Sequence, residues 1–337
     1  MIRGVALSFA IAMAACTVVS RNSTVYRELF PPSLGLDEFL AVPEDNPITR
    51  EKVALGARLF SDPIVSADST RSCASCHLPE RSFSDSLTFS SGVFGRFASR
   101  NTPSLVNRAY GRSFFWDGHA TSLEAAVMMP IENPRELAQP VSTLVDRLKA
   151  SASYRARFAR AFPAEGIEAT TIARALASYV RSIRSGNSAV DRYMAGDTSA
   201  LSPAEARGRR LFLGKGRCTL CHVGPRLTDE AFHNTGVSWG AGDVGRESAT
   251  RDQTDRGRFK TPSLRDVART APYMHDGSLS SLEDVVSFYN RGGHPNPNLD
   301  PDLKPRGLTT DECRDLVLFL HALNGEPGSR PPRRRQQ

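Results

Sequence analysis

The chain has too little spare cysteine for a disulfide framework. Of six cysteines in 337 residues, four lie in two Cys-x-x-Cys-His pentapeptides, Cys16 sits at the end of an amino-terminal leader, and only Cys313 remains. Sustained alternation of apolar and polar residues is also missing, which argues against a sheet-based fold. The apolar run from Gly4 to Ala15 is too short to span a bilayer and follows a short positive start at Arg3, so residues 1–16 read as an export leader. Met13-Ala14-Ala15-Cys16 resembles a lipoprotein box with methionine where leucine is usual, leaving two fates for Cys16: removal with the leader or lipidation as a membrane anchor. Surplus charge is small as well. Arg3 and the tail residues Arg330, Arg333, Arg334 and Arg335 account for five of the formal +7, so nothing in the body calls for a nucleic-acid partner.

What is present is a pair of motifs, Cys73-Ala74-Ser75-Cys76-His77 and Cys218-Thr219-Leu220-Cys221-His222. In this spacing two cysteines form thioethers with a porphyrin while the adjacent histidine reaches the iron. A Cys-x-x-Cys pair alone also suits zinc or redox chemistry. Two copies, each followed directly by histidine, favour two covalently bound c-type haems. Such haems are attached outside the bacterial cytoplasmic membrane, in agreement with the leader and a periplasmic location.

The chain also repeats itself. Thr102-Pro103-Ser104-Leu105 through Val127 aligns without a gap on Thr261-Pro262-Ser263-Leu264 through Val286, and Gly56, Leu59 and Phe60 echo Gly208, Leu211 and Phe212 ahead of each motif. Helix signals dominate. Ser202-Pro203-Ala204-Glu205 and Thr309 with Glu312 read as capping boxes, Ile172, Leu176, Tyr179, Val180 and Ile183 form an apolar stripe, and Gly325 reads as the end of the last helix. Cys313, on the apolar face of that helix, is expected to be buried. The fold expected is mostly α: two cytochrome-c-like helical domains with one haem each. The boundaries are 17–47 for an N-terminal segment, 48–190 and 191–326 for the domains, with a junction near Ser185 to Ser202, and 327–337 for a disordered basic tail.

These motifs, with Arg100-Asn101-Thr102-Pro103, Phe115-Trp116-Asp117-Gly118, Pro130-Ile131-Glu132-Asn133-Pro134, Phe259-Lys260-Thr261-Pro262 and Ala271-Pro272-Tyr273-Met274-His275-Asp276-Gly277, resemble the bacterial dihaem cytochrome c peroxidase family, its MauG-like branch most closely. The resemblance implies that His77 ligates a peroxide-reacting haem and His222 an electron-relaying one. It implies Glu136 as the distal acid-base group and Trp116 as a stepping stone between haems. Tyr289 takes the place of the second haem's sixth ligand, with Met274 as the alternative, and His275 supports that haem or its propionate. A calcium held by Asn101 and the carbonyls of Thr270 and Pro272 is also implied.

Departures from the family pattern matter too. No histidine lies between His77 and His119, so the loop Ser91-Gly92-Val93-Phe94-Gly95 carries no displaceable ligand and the first iron should stand open. Ala126 replaces a usual glutamine and His119 a usual arginine; His119 reads as a surface or propionate-contacting residue. Gly216 stands where the maturase has a surface tryptophan, which argues against maturation of methylamine dehydrogenase.

The activity implied is reduction of hydrogen peroxide with electrons from a small redox protein, a cytochrome c or a cupredoxin. Two alternatives remain: MauG-like oxidation of a partner protein or another organic substrate, and a non-catalytic dihaem electron carrier.

Overall fold

The computed structural model describes residues 28–37, 40, 42–237, 239–240 and 242–325. The leader with Cys16 and the basic tail lie outside them. Ten α-helices stand among the described residues: α1 (Arg50–Ser61), α2 (Leu123–Glu132), α3 (Val141–Ala150), α4 (Ala152–Ala161), α5 (Ala169–Ser182), α6 (Ala189–Met194), α7 (Pro203–Leu213), α8 (Glu247–Thr250), α9 (Leu282–Asn290) and α10 (Thr310–His321). One antiparallel pair of two-residue strands joins Phe232–His233 to Phe259–Lys260. The fold is thus mostly helical. None of the described helices is long and apolar enough to cross a membrane.

Local chemistry accounts for the helix starts. Ser202 and Thr309 accept hydrogen bonds from the backbone of Glu205 and Glu312, whose carboxylates accept in turn from the Ser202 and Thr309 N–H groups, and Ser122 and Ser281 cap α2 and α9 at repeat-equivalent positions. Two apolar clusters form. The first gathers Leu55 and Leu59 of α1, Ile131 of α2, and Ile172 and Leu176 of α5; the second gathers Phe212 of α7, Leu282 and Val286 of α9, and Leu316 and Leu320 of α10. Each such side chain contributes about 1.5–3 kcal/mol on burial. Cys313 packs half-buried beside the second cluster rather than fully inside it.

A close helix crossing organises each half. Gly56 lets α1 approach α5 so nearly that a Cβ there would lie 2.0 Å from the Ala175 carbonyl oxygen, and Gly208 does the same for α7 against Asp315 of α10, again at 2.0 Å. The last helix corrects one expectation. It ends at His321, and Gly325 lies beyond it, where its N–H donates to Asp266 at 2.6 Å and a Cβ would strike the Ser185 hydroxyl. That glycine serves a tertiary contact, not a helix cap. Between Ser185 and Ser202 the chain forms α6, whose Asp191 pairs with the buried Arg265 at 2.8 Å.

The halves meet about a pseudo-two-fold seam. Asn101 N–H donates to the His275 carbonyl at 2.7 Å, and its repeat equivalent, Lys260 N–H, donates to the Trp116 carbonyl at 2.7 Å. Trp116 and His275, themselves repeat equivalents, meet edge to face with centroids 6.4 Å apart. The amino-terminal segment also touches both halves: Tyr110 donates to the Asp37 carbonyl at 3.0 Å, and Arg265 donates to that of Gly35.

Helix propensity alone favours Gly56→Ala or Gly208→Ala by about 1 kcal/mol. The crossings reverse that sign: each variant should lose about 1–3 kcal/mol through overpacking, seen as a lowered midpoint in thermal unfolding.

Candidate functional site

Both pentapeptides fold as a short 3₁₀ turn that places the histidine after the second cysteine, with His77 N–H donating to the Cys73 carbonyl and His222 N–H to the Cys218 carbonyl, each at 2.9 Å. His77 Nδ1 lies 2.7 Å from the Phe83 carbonyl and His222 Nδ1 2.9 Å from that of Leu227. A carbonyl can only accept, so Nδ1 carries the proton and Nε2 keeps its lone pair. Burial lowers both imidazole pKa values, holding the rings neutral. The carbonyl-bearing loops are tied in turn: Ser104 donates to Ser82 and Ser84 to Thr102, while Ser263 donates to Arg226 and Thr228 to Thr261, all within 2.6–2.7 Å. Burial pushes Cys73 up to about 12 and Cys76 and Cys218 to about 11, so the thiols stay uncharged.

Cys73, Cys76 and His77 open into a cavity of about 390 Å³, within the range that holds cofactors. Ala126, Pro130, Asn133 and Glu136 also line it. Burial raises the Glu136 pKa above its ordinary value, and Asn133 Nδ2, donating to Oε1 at 2.6 Å, partly offsets this. The loop 91–95 is pinned against the same segment. Val93 N–H donates to the Glu136 carbonyl at 2.8 Å, Arg96 donates to that of Pro134 at 2.9 Å, and Gly92 sits where a Cβ would lie 2.1 Å from the Arg135 carbonyl oxygen.

Trp116, Asn101, Thr270, Pro272, Met274 and His119 line this cavity as well. Trp116 Nε1 donates to the Asn101 carbonyl at 2.8 Å, fixing the indole at the seam. The Asn101 amide donates to Leu87 at 2.9 Å, leaving its oxygen, the atom a calcium would use, without competition from that bond. His275 is buried and stacked on Phe259 at 3.5 Å; burial lowers its pKa to about 4, and its Nε2 has no hydrogen-bond partner. An orphaned donor or acceptor there fits a supporting contact to a bound group. His119 stacks on Phe115 at 4.3 Å and bonds Asp117 at 2.5 Å, with its side chain 37 % exposed, a rim position.

At the second motif, Tyr289 of α9 is half-buried; burial first, then charge interaction with Cys221 and Cys218, push its phenol pKa upward. Cys218, Cys221, the clamped His222 and Tyr289 are donors of the kinds a haem takes. Two charge clusters at the seam carry almost no sequence signal. Arg100 forks between Asp117 at 2.7 Å and Asp243 at 2.7 Å, and Arg108 pairs with Glu230 at 2.9 Å beside Lys260. What signal there is lies in the presence of Arg100 and Lys260 in the two repeated motifs.

Residues 50–199 match a family model described as di-haem cytochrome c peroxidase. The chain is 44% identical to the methylamine utilization protein MauG of Methylorubrum extorquens, over 85% of this chain and 82% of that one. It is 38% identical to cytochrome-c peroxidase IdrP1 of Denitromonas iodatirespirans, over 96% and 93%. Among solved structures, a MauG-like protein associated with microbial copper homeostasis superimposes with a TM-score of 0.80 at 34% identity, covering 90% of this chain and 96% of that one.

Asn133→Ala should remove the bond that offsets burial at Glu136. The carboxyl pKa should then rise further, which infrared titration of the Glu136 C=O band, assigned by its loss in Glu136→Gln, can measure.

Proposed function

The chain belongs to the di-haem cytochrome c peroxidase family, and from that premise we propose that it is an exported, periplasmic dihaem peroxidase that reduces hydrogen peroxide with electrons from a small cytochrome c or cupredoxin. Residues 48–190 would hold the peroxide-reacting haem through Cys73, Cys76 and His77. Residues 191–326 would hold the relay haem through Cys218, Cys221, His222 and Tyr289, and Asn101, Thr270 and Pro272 a structural calcium. The haems, when bound, supply the redox chemistry.

The observation that carries this reading is a protonatable carboxyl, Glu136, set on the wall of the cavity into which His77 opens. Peroxide cleavage needs a group that takes a proton from one oxygen and returns it to the leaving oxygen. A carboxyl raised by burial but hydrogen-bonded by Asn133 can do both. His77, neutral and clamped at Nδ1, presents Nε2 as a ligand. Loop 91–95, whose Ser91 and Gly92 line the cavity, offers no histidine that could ligate an iron held there. Trp116, locked at the seam by Asn101, is placed to pass charge between the halves.

A second reading, MauG-like oxidation of a partner protein or another organic substrate, is favoured by Tyr289 at the second motif and by the 44% identity to a MauG protein. A phenolate ligand stabilises higher oxidation states of iron, whereas a thioether favours the reduced metal. Met274 lines the 390 Å³ cavity that residues of both halves enclose, and Tyr289 interacts electrostatically with the Cys218 and Cys221 thiols. Peroxide turnover with a small cytochrome, run beside a search for oxidised partner protein, separates these activities. A resting ferric spectrum with one high-spin and one low-spin haem supports either enzyme; two low-spin haems support a carrier.

Glu136→Gln should slow the peroxide reaction about 10²-fold or more, read by stopped-flow absorbance. In the wild type the rate should fall as pH drops through a midpoint above the ordinary carboxylate value, because protonation removes the base; the variant should lack that limb. Tyr289→Phe should change the low-spin absorption and electron paramagnetic spectra, and unchanged spectra would exclude Tyr289 as a ligand.

A further inference from the structure

The seam holds a buried ammonium group that the peroxidase reading leaves unused. Lys260 is 8 % exposed and lines the 390 Å³ cavity. Its Nζ has Glu230 Oε2 at 3.8 Å, too far for a hydrogen bond. Glu230 is already engaged: Arg108 donates to Oε1 at 2.9 Å and to Oε2 at 3.4 Å, and Arg112 N–H donates to Oε2 at 3.4 Å. Two buried cations thus share one carboxylate, and the cation left over faces a cavity.

A buried charge without a hydrogen-bonded counter-ion is costly, and it is retained where a ligand completes it. We propose that Lys260 is the receptor for a carboxylate held in this cavity. A carboxylate fits because the gap calls for one compact anion with acceptor oxygens, placed opposite the carboxylate that Arg108 already occupies. Two sources share this chemistry: a carboxylate arm of the prosthetic group, which rests on the haem reading above, or a small free carboxylate. Left alone, the amine is driven down to about 7 by burial, with Arg108 adding to the effect and Glu230 opposing it. A carboxylate in contact would restore its charge.

The test uses the holoprotein and Lys260→Met, which keeps an unbranched apolar stem and removes the charge. If a porphyrin carboxylate is the ligand, the resonance Raman bending bands of the carboxylate arms shift in Lys260→Met and the thermal midpoint falls. If a free carboxylate is the ligand, those bands stay, and sodium acetate raises the thermal midpoint of the wild type but not that of the variant. Unchanged bands with no acetate response, or a midpoint raised by Lys260→Met as expected for deleting an unpaired buried charge, overturn the proposal. Lys260→Gln gives the same readouts where the methionine variant does not fold. Failure of the haem reading is visible separately, as absence of covalently bound haem in the wild type.

Discussion

Each histidine ring is held by one bond, from Nδ1 to a backbone carbonyl, and most of the site depends on it. Phe83 and Leu227 supply the carbonyls, and the loops that carry them are tied down by hydroxyls of Ser104, Ser84, Ser263 and Thr228. The tie fixes the tautomer, the ring plane and the direction of the remaining lone pair at once. The helix crossings at Gly56 and Gly208 bring the pentapeptide turn against the apolar cluster on one side and leave a cavity on the other.

Features set by neighbours along the chain are legible in the sequence: the two pentapeptides, the caps at Ser202 and Thr309, and the apolar stripe of α5, which folds into the first cluster. Features set by distant partners are not. Gly325 looks like a helix terminator because glycine after an amphipathic run often is one, yet its role is to admit Ser185 and Asp266. Arg108 and Glu230 stand 122 residues apart, and no periodicity announces that pairing. Places for Glu136 and Tyr289 come from resemblance, since a lone carboxylate or phenol carries no spacing signal of its own.

Repetition gives both halves one scaffold. The backbone pairing across the seam is reciprocal, Asn101 to His275 and Lys260 to Trp116, as in a two-fold interface. Side chains break that symmetry. An amide on one side corresponds to an amine on the other, and an indole to an imidazole. The scaffold is shared by both halves, while the unlike residues at equivalent positions distinguish them.

The contact between Gly92 and the Arg135 carbonyl, with Val93 N–H donating to the Glu136 backbone carbonyl, makes the loop and the 135–136 main chain a single mechanical unit. Any insertion that lengthens this loop must also displace the backbone that carries Glu136, so the two segments can change only together.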